Sequence, residues 1–338
     1  MTWRELLAMA VEKLSQAGIG EAQIDAWQLF SESFSMSRAT YFLKRDEVIP
    51  GSDCLCAGDL FTEDMRSMEI ETKNAWMKGE IEGFVRCIKL RSERIPLQQI
   101  TRHQEFMGLD FWVNEHVLIP RQDTEVLVET VLEDLKRRQS EWDMTNRPEG
   151  ERKTLGILDM CAGSGCIGIS LERLLPVPVK VLGADISEDA LKVAKENGDQ
   201  LGCERYRVIK SDLFEKIEGM FDIIVSNPPY IPTEVIETLD REVKDHEPRL
   251  ALDGEADGLA FYRRIAVGAP KYLVTGGKIY LEIGYDQGDA VSALLYNAGF
   301  DDVKVIRDLA GLDRVVAAVW PGLDADDKLI GGERCLTV

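Results

Sequence analysis

From residue 155 to Trp320 the chain alternates short apolar runs of strand character with segments of helical periodicity. Few folds accept that pattern. Strands separated by helices pair in parallel, and the helices cover both faces of the resulting sheet. Strands are expected near 155–160, 179–185, 206–210, 221–226, 277–283 and 314–319, in an α/β domain with a mostly parallel sheet.

The preceding residues read differently. Leu6, Leu7, Ala10, Val11 and Leu14 recur at helical spacing, Ala17-Gly18 closes that helix, and a second helix is expected through Asp25 to Phe30. Residues 46–60 contain Pro50-Gly51-Ser52-Asp53 and read as a loop; 62–93 read as a long, charge-rich helix. At Ile95-Pro96 the period shortens, and alternation around Met107-Gly108 predicts a hairpin. Asp123-Thr124-Glu125 opens a helix over 126–136, with acids where the helix dipole favours them, and 139–154 is a polar surface loop. The expected organisation is a helical domain for partner recognition over 1–93, a β-hairpin linker over 94–120, the α/β domain over 121–321 and a polar tail over 322–338.

Charge narrows the function classes. The net charge is −20, and a chain that acidic is repelled by nucleic acid phosphates, so no direct nucleic-acid binding is expected. No apolar run approaches the roughly 20 residues of a membrane span, and the N-terminus lacks a signal-peptide apolar region. A cytoplasmic protein is expected. Seven cysteines without a CxxC pair, alongside three histidines, read as reduced thiols with no metal site.

The segment Ile157-Leu158-Asp159-Met160-Cys161-Ala162-Gly163-Ser164-Gly165-Cys166 reads strand, tight turn, helix. Gly163 and Gly165 let the backbone turn sharply, and the amides opening the next helix face whatever binds there. The second strand ends on Asp185, about 20 residues on, the spacing of an acceptor for ribose hydroxyls. Leu213 follows the third strand, placed to face an adenine ring. A glycine turn and an acid leave a nicotinamide cofactor and S-adenosylmethionine roughly even.

The fourth strand decides between them. It runs into Asn227-Pro228-Pro229-Tyr230. The prolines fix the backbone and remove two N–H donors while keeping their carbonyl acceptors. Asn227 adds a side-chain acceptor, so two convergent acceptors meet the two hydrogens of an NH2 group. Tyr230 offers a flat face to a planar amide or base. An amide nitrogen is a poor nucleophile, and acceptors aligned with its N–H bonds favour a pyramidal geometry that frees its lone pair; catalysis is then positioning and electrostatics. Asn227, Pro228 and Tyr230 are the candidate catalytic residues.

In these motifs the chain resembles the bacterial release-factor glutamine methyltransferases, the HemK/PrmC family. The resemblance runs in order through Ile95 to Ile100, Glu105-Phe106, Val117 to Arg121, Ile157 to Ile167, Ser226 to Ile231, His246 to Leu252, Asp257 to Leu259 and Glu282 to Gly284. It implies a Rossmann-like S-adenosylmethionine-dependent methyltransferase domain with a small N-terminal helical domain joined by a β-hairpin. The implied activity is methylation of the glutamine in the Gly-Gly-Gln loop of peptide chain release factors. By the same resemblance, Cys161, Ala162, Gly163, Ser164 and Gly165 hold the methionine part of the cofactor, Asp185 the ribose, and Leu213 packs near adenine, with Asn227 close by. Asn227, Pro228, Pro229 and Tyr230 bind the glutamine, and Phe106 walls its pocket. Departures from the family pattern are Cys161-Ala162 at the start of the turn, Arg102 where glycine is common, Arg121-Gln122-Asp123 for Arg-Pro-Glu, and Leu213 where an aromatic occurs. His246 to Arg249 and Glu282 are expected to be structural. An adenine-specific DNA methyltransferase would share the cofactor fold and Asn227 to Tyr230, but should carry a basic surface. A non-catalytic scaffold is the other alternative.

Overall fold

The computed structural model describes residues 1–50, 75–143 and 154–322. The expected helical stretch over 62–74, the loop over 144–153 and nearly all of the tail lie outside the described residues. The chain divides into two units. One comprises Met1–Arg102 with Asp240–His246, the other His103–Leu239 with Glu247 onward. No helix among the described residues is long and apolar enough to cross a membrane.

The first unit is helical: Trp3–Gln16, Ala22–Ser33, Arg38–Lys44, Ala75–Ser92 and Leu97–Thr101. Thr2 and Glu5 form a capping box on the first helix, whose Leu6, Ala10 and Leu14 are buried. They pack with Leu29, Phe30, Phe84 and Ile88. Asp25, inside the expected second helix, makes a buried ion pair with Arg91 at 2.7 Å, and Arg91 also reaches Glu242 at 2.9 Å. Such a pair is costly to break one-sidedly, which ties the late segment Asp240–His246 into this unit.

The second unit opens with the hairpin, β1 (His103–Phe106) and β2 (Leu109–Trp112), paired antiparallel. The linker expectation is corrected here: Phe106 and Phe111 are buried in the core of this unit, so the hairpin is part of it. The next helix spans Gln122–Asp143, longer than expected, and takes up the start of the predicted loop. Then come β3 (Leu155–Met160), β4 (Val179–Asp185), β5 (Tyr206–Lys210), β6 (Phe221–Ser226), β7 (Leu273–Glu282), β8 (Asp301–Arg307) and β9 (Asp313–Val319), in the order β5-β4-β3-β6-β7-β9-β8. The strand β8 was not foreseen. It is an edge strand whose residues are mostly exposed, so it lacks the apolar run that marks its neighbours. Within the sheet, side-chain alternation sends Ile157, Ile223 and Val225 to one core and Leu158, Met160 and Ile224 to the other.

The chain leaves β3 outward to β4 and β5, then returns to β6 on the other side of β3. The strand order therefore reverses between β3 and β6, and open α/β sheets bind ligands in the crevice at that point.

Candidate active site

The parallel register sets Met160 of β3 beside Ser226 of β6, and Ser226 Oγ donates to the Met160 carbonyl at 2.7 Å. The next residues, Cys161 and Asn227, thus begin the two motifs as neighbours. One cleft is lined by Cys161, Ala162, Gly163, Ser164, Asp185 and Leu213 on one side and by Asn227 and Pro229 on the other. Gly165, Pro228, Tyr230 and Phe106 are not among its lining residues.

On the glycine-turn side, most contacts are made by backbone. Asp185 accepts from the Gly163 and Ser187 amides, both at 2.9 Å. The turn and the acid, read separately in the sequence, are one hydrogen-bonded unit. Each carboxylate oxygen keeps acceptor capacity for a diol. Burial raises the Asp185 carboxyl above its usual range, and the Ser187, Gly163 and Ile186 amides pull it back. Gly163 has φ +55° and open space where a Cβ would stand. Gly165, at φ +80°, works from below: a Cβ there would meet the Tyr206 hydroxyl at 2.8 Å. Asp159, within the same motif, accepts from the Gly168 amide at 2.9 Å and is pushed by burial to about 8.

Cys161 and Leu213 hold φ +59° and +48°, a region that non-glycine residues rarely enter. Arg102 does the same at +68°. Two of the departures from the family pattern, Cys161 and Arg102, stand where glycine is common and keep the backbone glycine would take. Burial pushes the Cys161 thiol far up, which removes it as a nucleophile.

On the other side, Asn227 Nδ2 donates to Thr124 Oγ1 at 3.3 Å. No described residue donates to the Asn227 or Pro228 main-chain carbonyl. The Tyr230 carbonyl accepts from Gln287 Nε2 at 3.1 Å, and a Cβ on Gly258 would collide with it. The Asp257-Gly258 loop therefore presses on the Tyr230 backbone, and burial pushes the Tyr230 hydroxyl to about 12. Arg121 Nη2 lies 2.7 Å from both oxygens of the buried Glu247 carboxylate, while Pro248, Leu250 and Ala251 line the cleft. Glu247 and its neighbours thus hold a loop over the site. Phe106 is corrected: it is 1% exposed and packs edge-on against Phe111 in the core, because the hairpin turns that face inward.

Glu282, expected from sequence to be structural, lies among groups that residue order does not bring together. It is buried at the end of β7, and burial pushes its carboxyl to about 7 against hydrogen bonding from Thr124 and the charge of Arg314. Only the order of strands could reveal that neighbourhood.

Two family models match the chain: the methyltransferase small domain over residues 147–256 and the PrmC N-terminal domain over 5–61. The release factor glutamine methyltransferase of Agrobacterium fabrum is 37% identical over 313 residues, covering 92% of this chain and 95% of that protein. Its counterpart in Clostridium acetobutylicum is 40% identical over 316 residues, covering 90% and 99%. That of Moorella thermoacetica is 37% identical over 321 residues, covering 94% and 98%.

Proposed function

Because the chain belongs to the release factor glutamine methyltransferase family, we propose that its cleft methylates the side-chain amide nitrogen of the glutamine in the Gly-Gly-Gln loop of peptide chain release factors. The observation that carries the mechanism is the adjacency of the glycine turn and Asn227 at the switch point between β3 and β6.

S-adenosylmethionine fits the cofactor side, since the Asp185 carboxylate is held by two amides yet keeps acceptor capacity for a ribose diol, and Gly163 leaves room above the turn. Cys161 to Ser164 would hold its methionine part, with Gly165 shaping the turn from below, and Leu213 would pack near the adenine. When bound, it supplies an electrophilic methyl carbon. The protein's own residues do the rest. Asn227 Oδ1 and the Pro228 carbonyl accept the two hydrogens of the substrate amide, and Pro229 and Tyr230 hold its plane. Those acceptors fix the nitrogen's direction and favour its pyramidal form. No strong base is required, because the nitrogen becomes acidic only once methylated. In this reading the helical unit recognises the release factor, and the chain works in the cytoplasm.

The test is mass spectrometry of the Gly-Gly-Gln peptide after incubation of purified chain, release factor and S-adenosylmethionine, with duplex DNA as the competing acceptor. Methyl on the glutamine is expected. Methylated DNA beside an unmodified release factor would sink the reading.

A further inference from the structure

Asn227 can accept from a substrate NH2 in only one of its two flip states; in the other it aims its own N–H donors at the substrate. The group that holds Nδ2 therefore decides whether the site works. Thr124 Oγ1 holds it at 3.3 Å. A hydroxyl alone does not choose between the flips, since it donates as readily as it accepts. The choice needs a neighbour that only accepts.

Glu282 stands in that place. β6 and β7 pair in parallel with Ser226 beside Leu281, so the following residues, Asn227 and Glu282, sit side by side where the strands end. Glu282 is 1% exposed. The nearby Thr124 and Asn227 side chains favour its charged form against burial, yet its Oε2 has no hydrogen-bond partner among the described residues. Hydrogen bonds in an enzyme without substrate are commonly long and tighten in the complex.

We propose that Glu282 is a positioning residue for methyl transfer: as a carboxylate it accepts from the Thr124 hydroxyl and the Asn227 amide, and so turns Asn227 Oδ1 toward the substrate. The proposal rests on reading Asn227 as the substrate acceptor. A protonated Glu282 would donate instead, compete for Thr124 Oγ1 and release the flip. Activity then depends on its charge. The groups facing it are Asp123 on the helix Gln122–Asp143, Tyr230 after β6 and Arg314 on β9. Tyr262 on the helix Ala260–Gly268 and Cys166 on the helix Cys166–Leu174 complete the ring. Burial pushes Tyr230, Tyr262 and Cys166 upward, away from neutrality. His116, which also lines the cleft, faces Asp189 instead.

The experiment uses the full chain with release factor and S-adenosylmethionine, measuring kcat and both KM values from about pH 6 to about pH 9 for wild type, Glu282→Gln, Thr124→Val and Asn227→Ala. Wild-type kcat should rise with pH through about 7. Glu282→Gln should lose that rise and lower kcat roughly ten- to a hundredfold, the range for a residue that orients a binding group, with cofactor KM little changed. Thr124→Val, which keeps shape and removes the hydroxyl, should lower kcat in the same way and serves if Glu282→Gln does not fold. Wild-type kcat and an intact pH rise in both variants, beside an inactive Asn227→Ala, would overturn the positioning role alone. An active Asn227→Ala would overturn the reading of Asn227 itself.

Discussion

Asp185 and Glu282 are both carboxyls at the carboxyl ends of sheet strands, and burial raises both above their usual range. Their surroundings differ. Asp185 is held by the amides of Gly163 and Ser187, groups that cannot rotate away or change charge. Glu282 is influenced by side chains, Thr124, Asn227 and the charge of Arg314, and one of its oxygens has no hydrogen-bond partner among the described residues. The side of the cleft proposed for the cofactor is thus set by local backbone, and the side proposed for the substrate by side chains brought from three separate segments. Backbone-held groups suit a ligand whose shape never varies. Side-chain-held groups can be switched, and they fail when one member is altered.

The strongest way to break this contrast is Asn227→Ala. Removing one preorganised hydrogen-bonding group facing the reacting centre should lower kcat by about 10²- to 10³-fold. Calorimetry should find S-adenosylmethionine binding nearly intact, because the glycine turn and Asp185 are untouched. A comparable loss of cofactor affinity would mean the two halves are not separable.

Asp185→Ala is the reciprocal change. It removes the acceptor proposed for the ribose and leaves the Gly163 amide without its partner. Cofactor affinity should fall roughly ten- to a hundredfold, as for a lost hydrogen bond to a charged group. At saturating cofactor, kcat should move less than in Asn227→Ala.

Stability against pH sharpens the comparison. Glu282 is raised from 4.5 to about 7. The folded protein therefore keeps this proton where the unfolded chain has lost it, and the group's stabilising contribution, complete below about 4.5, is lost as pH rises through about 7. Glu282→Gln cannot ionise. In denaturant titrations it should gain on wild type by about 1–3 kcal/mol between roughly pH 5 and pH 8. A difference that does not vary with pH would show that Glu282 is not the buried titrating group.

The smallest effect on activity is expected at Phe106. It packs in the core of the second unit against Phe111, so Phe106→Leu, which removes three buried carbons and that ring contact, should cost about 1–3 kcal/mol of stability, and leave kcat and KM within about twofold. A large rise in the release-factor KM would return Phe106 to the pocket wall.

How much could be read in advance follows from how local each feature is. The motif from Asp159 to Cys166 is contiguous, and its glycines advertise the turn. The sequence did not show that Asp185 closes onto Gly163, because that bond needs β3 and β4 paired. The strand β8 stayed hidden because an exposed edge strand needs no apolar run. The left-handed backbone at Arg102, Cys161 and Leu213 was equally silent, since none of the three is the glycine that normally marks such a position. Phe106 misled because an aromatic near a site looks the same in sequence whether it faces the ligand or the core.

Residue order alone determined the α/β class, the glycine turn after the first sheet strand, and the acceptor-rich tetrapeptide Asn227 to Tyr230, because periodicity and contiguous motifs encode backbone shape and donor count directly. The orientation of Asn227 was decided only by tertiary structure. In the proposed reading it depends on the helix Gln122–Asp143 bringing Thr124 to Asn227 and on the β6–β7 register setting Glu282 beside it. A cluster of side chains drawn from distant segments has no period or spacing to read, and exists only once the strands are ordered.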